Sequence, residues 1–150
     1  MIQRIQTLYL LAVVILGIAL IWLPVVQLVS PADAQELQVW ELTALGGAPL
    51  QGLWGMLVAT LLIPVLALVD IFLYNKRILQ ARLNIFTVML CLGWYGVLAI
   101  YIWLAKVSMG LEWHIMPSAC IPLICMVLTL MATRRILKDE ALVRAADRIR

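Results

Sequence analysis

Charge is scarce in this chain. Of its 150 residues only 13% are Asp, Glu, Lys or Arg, against 65% hydrophobic, and the mean hydropathy is +1.06. A water-soluble domain covers its surface with polar groups, and this composition excludes one. Histidine is almost missing. The single His114 cannot supply both axial ligands of a typical membrane haem, and metal ligation there would need partners beyond nearby Glu112. Cysteine is sparse and odd in number: Cys91, Cys120 and Cys125, with no C-x-x-C pair. That excludes a disulfide framework and zinc, and reads as small hydrophobes buried in apolar stretches. The G-x-S-x-G, H-E-x-x-H and phosphate-loop patterns are all lacking. The expectation is a chain that is not an enzyme and carries no cofactor and no metal. The formal charge of +3 is not gathered into a folded basic patch, so nucleic acid is not an expected partner.

In place of charge the chain has long apolar runs. Residues 8–29 contain no charged side chain, residues 50–69 only Gln51 and Thr60 as clearly polar ones, residues 83–105 have Asn84 near their start, and a fourth run covers about 115–132. Each matches the roughly 20 residues a helix needs to cross a bilayer. The segments between them, 30–49, 70–82 and 106–114, are short, which favours antiparallel neighbours. The predicted architecture is an all-α integral membrane protein: an antiparallel bundle of four transmembrane helices over residues 1–133, then a short cytoplasmic amphipathic helix over residues 134–150.

Basic residues set the direction. Arg4, Lys76, Arg77, Arg82, Arg134, Arg135, Lys138, Arg144, Arg148 and Arg150 fall on one side, and only Lys106 falls on the other. The positive-inside rule therefore puts both termini and the middle connection in the cytoplasm. Asp33, Glu36, Glu41 and Glu112 lie in the opposite loops. Trp22, Trp40, Trp54, Trp103 and Trp113 map toward the outer half, where indoles suit the headgroup boundary, whereas Trp94 falls mid-helix and is expected inside the bundle. The start resembles a secretory signal with an A-x-A site at Ala32 and Ala34. Its apolar stretch exceeds the usual 7–15 residues, so a retained helix is the expectation.

Lipid tails are as apolar as leucine, and close approach through small residues does much of the packing within membranes. Gly52, Gly55 and Ala59 share one face of the second run, Gly93 and Gly96 one face of the third, and Gly17 lies in the first. These are candidate packing positions, with self-association as the other use. Pro24, Pro64 and Pro122 interrupt runs and free the carbonyls of Leu20, Thr60 and Ser118, while Pro117 suits a first helical turn.

Asp70 follows nineteen largely apolar residues, and a carboxylate there is costly unless paired or wetted. An ion pair with Arg77, Arg82 or Arg135, fixing the second helix at the cytoplasmic rim, is the first expectation. A proton or ion pathway is the second, although no other acidic residue lies deep enough to relay. The tail places Leu142, Ala145, Ala146 and Ile149 at helical spacing, with Glu140 and Arg144 as an i, i+4 pair. It reads as a docking face for a partner or for the membrane surface, or as a solvated anchor.

Three stretches, MIQRIQTLYLL at residues 1–11, IFLYNKRILQARLN at residues 71–84 and KDEALVRAADRIR at residues 138–150, together resemble a family of small bacterial membrane proteins. That family is found mainly in Bacteroidetes and is described only as a domain of unknown function with four helices. The resemblance implies a four-helix protein of the bacterial inner membrane and brings no activity with it. The functional expectation is an accessory or scaffold protein in the lipid bilayer whose cytoplasmic face contacts another membrane protein. The other possibilities are a small oligomeric transporter or channel component and, least favoured, an enzyme acting on lipid.

Overall fold

A computed structural model describes residues 3–29, 34–38, 54–73, 76–109 and 112–147. In chain order these form helix α1 (Gln3–Trp22), strands β1 (Pro24–Val29) and β2 (Ala34–Gln38), helices α2 (Trp54–Phe72) and α3 (Arg77–Met109), strand β3 (Glu112–Ile115), a 3₁₀ turn (Pro117–Cys120) and helix α4 (Ile121–Asp147). Among the described residues, four helices are long and apolar enough to cross a membrane.

The first apolar run does not stay helical. Pro24 lacks an N–H and disfavours helical dihedrals at Leu23, so α1 stops at Trp22. The residues beyond are rich in β-branched Val25, Val26 and Val29, which favour a pleated strand. Hence residues 24–29 of the predicted helix form β1 instead. β1 is the central strand of a three-stranded antiparallel sheet of order β2-β1-β3, with Gln27 opposite both Glu36 and His114. An irregularity between Pro24 and Val26 lets the consecutive Val25 and Val26 both be buried against the bundle.

The other helices outrun their hydropathy. α3 has 33 residues, about 50 Å at 1.5 Å each, and begins at Arg77 rather than Leu83. α4 absorbs the predicted tail: one helix of 27 residues runs through Arg134 and Arg135 to Asp147, with no break where the charge begins. Only a short link around residues 73–76 joins α2 to α3, because charged residues end an apolar run without ending a helix. Of the three prolines read as interruptions, Pro64 alone lies in a helix interior. Pro24 opens a strand, and Pro122 occupies the first turn of α4, where the missing donor matters least.

Each helix packs on its neighbours in chain order and α1 closes the ring against α4. Hydrogen bonds join the start of α1 to the end of α4 and the end of α2 to the start of α3, so adjacent helices are antiparallel. The inward residues keep a seven-residue repeat: Gln6, Leu10, Val13, Gly17 and Leu20 on α1; Met56, Thr60, Ile63, Ala67 and Asp70 on α2; Gln80, Asn84, Thr87, Cys91, Trp94, Leu98 and Tyr101 on α3; Cys125, Thr129, Ala132 and Ile136 on α4. Alternating steps of three and four are the signature of helices packed side by side. Trp94 is fully enclosed at the centre, as its mid-run position predicts. The outward faces are apolar as well, with Leu8, Ile15, Val65, Phe86 and Leu92 all exposed. Helices apolar all round are found as membrane spans or in the core of a larger assembly.

Candidate functional site

The bundle has two unlike ends. At one, the sheet and the helix starts are sewn together. The Tyr95 hydroxyl donates to the Ala119 carbonyl at 2.8 Å and accepts from the Leu123 N–H at 3.0 Å, satisfying one of the donors that a helix start leaves open. Met116 N–H donates to the Val25 carbonyl at 3.1 Å, and the Ser118 hydroxyl donates to the Pro24 carbonyl. Trp22 and Trp103 are exposed near this end. His114 is exposed on β3, and Cys120, expected among the buried cysteines, is exposed in the 3₁₀ turn. Cys91 and Cys125 are buried, and all three are free thiols.

The opposite, charged end holds a buried polar collar. Gln6, Asp70, Gln80, Asn84, Thr87, Thr129 and Thr133 are all buried there. Most are satisfied. Thr87, Thr129 and Thr133 donate to the carbonyls one turn back, of Leu83, Cys125 and Thr129, at 3.0, 2.7 and 2.9 Å. Gln6 Nε2 donates to Asp139 Oδ2 at 3.0 Å, tying α1 to α4. Gln80 Nε2 donates to the backbone carbonyl of Asp70 at 3.1 Å, tying α3 to α2.

Three groups are left over. Both carboxylate oxygens of Asp70, Asn84 Nδ2 and Arg77 Nη1 are buried without a hydrogen-bond partner. Asn84 is the polar neighbour that acts on that carboxylate, although no hydrogen bond of ordinary geometry joins the two groups. The expected Asp70 ion pair is therefore not closed. Arg77 is seven residues from Asp70 and would share its face only on a continuous helix. α2 ends at Phe72 and α3 starts afresh at Arg77, which turns the guanidinium elsewhere, and Arg82 and Arg135 point outward and are exposed. The collar also lies farther out than the sequence suggests. Arg82 and Glu140 line the same cleft, so the level of Asp70 and Asn84 is about one to two turns beyond Arg134 and Arg135 along α4.

The small-residue positions divide. Ala59 is buried, but Gly55, Gly93 and Gly96 are exposed, and a Cβ on any of them would meet nothing within 4 Å. With Cys91, Trp94 and Leu98 taking the inward face of α3, Gly93 and Gly96 fall outside it. The close approach is made by Gly17, where a Cβ would lie 3.0 Å from Pro64 Cδ. Of the tail positions, Leu142 and Ala145 are exposed. Gly52, Trp40 and Ile149 lie outside the described residues, as do the side chains of Trp54, Trp113, Arg144 and Ala146.

Among the described residues, no three His, Cys, Asp or Glu side chains converge as metal ligands would. What the collar does chemically is bind helix ends together through the side-chain amides of Gln6 and Gln80, while its hydroxyls bond within their own helices and one carboxyl and one amide stay in reserve. The model of one family, described as a domain of unknown function (DUF4293), matches residues 2–149, and the chain belongs to that family. No curated protein and no solved structure matches it.

Proposed function

We propose that this member of the family is a four-pass protein of the bacterial inner membrane, both termini cytoplasmic, serving as a non-enzymatic accessory or scaffold subunit whose cytoplasmic face engages another membrane protein. The observation that carries this reading is the continuity of α4. A helix that leaves the apolar span and continues unbroken to Asp147 is a rigid arm standing beyond the basic residues that favour the anionic leaflet. On that arm Leu142 is exposed between the charged Glu140 and Arg144, which is how a helix presents an anchor to a partner groove. The positive-inside count supplies the orientation.

Gentle extraction followed by mass spectrometry tests it. A different protein recovered in fixed ratio is the expected result. Deleting residues 141–150, which spares Asp139 and its bond from Gln6, is expected to remove that protein while the shortened chain still inserts. A homo-oligomer that moves a solute across vesicles would defeat the scaffold reading in favour of a transport component. The unpartnered Asp70 and Asn84 are the observation behind that second reading, and Asp70→Asn at normal protein level with solute movement lost is its diagnostic.

A further inference from the structure

The outer seam between α3 and α4 at the charged end is amphiphilic along its length. Its mouth, a cavity of about 490 Å³, is lined by Lys76, Arg77 and Arg82 together with Ile78, Leu79 and Val143. A second cavity of about 420 Å³ shares Ile78, Arg82 and Glu140 with the first and continues it past Ala81 to Ile85 and Leu137. From Arg77 to Ile85 the seam advances roughly 12 Å toward the apolar part of the bundle. Three cations therefore stand at one end of a trough whose other end is aliphatic.

Lys76 and Arg82 are exposed, and Arg77 Nη1 is buried with no acceptor. An unsatisfied guanidinium nitrogen beside two further cations calls for an anion. Glu140 also lines the trough, but it is already engaged in an interaction of its own within the protein.

We infer that this seam holds one anionic phospholipid, its phosphate against Lys76, Arg77 and Arg82 and an acyl chain along Ile85 and Leu137. A free phosphate would use only the mouth. The aliphatic continuation is what commits the site to a lipid, and basic clefts between membrane helices suit such headgroups. The inference rests on the membrane reading above.

The test uses the full chain in nanodiscs of phosphatidylcholine with or without phosphatidylglycerol, followed by native mass spectrometry. Phosphatidylglycerol is expected to remain bound through release from the disc while phosphatidylcholine is lost. The double variant Lys76→Gln/Arg82→Gln changes two exposed residues and is expected to weaken retention roughly thirtyfold. Arg134→Gln/Lys138→Gln removes equal charge at the same end but outside the trough, and is expected to leave retention unchanged. Equal loss in both double variants would show diffuse attraction and overturn the site. So would displacement of the lipid by millimolar inorganic phosphate, or equal retention of the two lipids. A chain that fails to enter phosphatidylcholine vesicles sinks the membrane reading itself, which separates that failure from absence of the lipid site.

Discussion

Gly17 and Asp70 show how differently single residues act in this bundle. Gly17 lets α1 lie against the ring of Pro64, which is rigid and cannot move aside for a methyl group. Gly17→Ala is expected to cost about 1–3 kcal/mol, read as a lower unfolding midpoint in mild detergent. Gly55→Ala, with open space around its Cβ, is expected to leave the midpoint unchanged or raise it by up to about 1 kcal/mol through helix propensity. Asp70 carries an unpaired carboxyl at 1% exposure, and burial of an unpartnered charge opposes folding. Asp70→Asn keeps the shape and removes the charge, so the midpoint should hold or rise by about 1 kcal/mol. A fall of several degrees would mean that the carboxylate is bonded in the native protein. Neither role was plain in the sequence, since Gly17 carried no more signal than the glycines that turned out to face outward.

At the scale of elements, hydropathy located four helices but misjudged their ends. It marks where apolar side chains stop, whereas a helix stops where its backbone hydrogen bonding fails. At Pro24 the two events differ in one direction, and at Arg77 and Arg134 in the other. The sheet that resulted rests on β1, whose central position engages it on both sides. Gln27→Pro deletes a ladder donor and is expected to cost about 3 kcal/mol. Hydrogen exchange should show this as faster exchange at residues 112–115 with the helices unaffected. Unchanged protection there would mean that β3 is held by α4 rather than by β1.

For the whole molecule the testable quantity is orientation. A fluorescent reporter fused after Arg150 is expected to mature in the cytoplasm, and an alkaline phosphatase inserted within residues 40–50 to be active outside. The reverse pattern would invert the assignment of both ends and with it the reading of the α4 arm. The collar belongs to this scale too, because its polar groups come from all four helices and acquire meaning only as a layer. One signal for it was present in the sequence. Gln6, Asp70, Gln80, Asn84, Thr87 and Thr129 continue the same three-and-four spacing as the buried apolar residues, and within apolar helices polar side chains mark the inward face.

The order of apolar runs and basic residues determined by itself that the chain contains membrane-length helices with basic charge gathered mostly at one end, because transfer of apolar side chains out of water is additive along the chain and needs no knowledge of neighbours. Which face of each helix turns inward was marked only where Gln6, Asp70, Gln80, Asn84, Thr87 and Thr129 fall, since elsewhere apolar residues occupy every face and no amphipathic stripe sets the phase. Only the tertiary structure decided that Gly17 meets Pro64, that Asp70 and Arg77 part company, and that the α3/α4 seam brings three cations to the head of an aliphatic trough. Those are pairings between residues distant in sequence, or at a helix break, and they are fixed by shape and hydrogen bonding rather than by hydropathy.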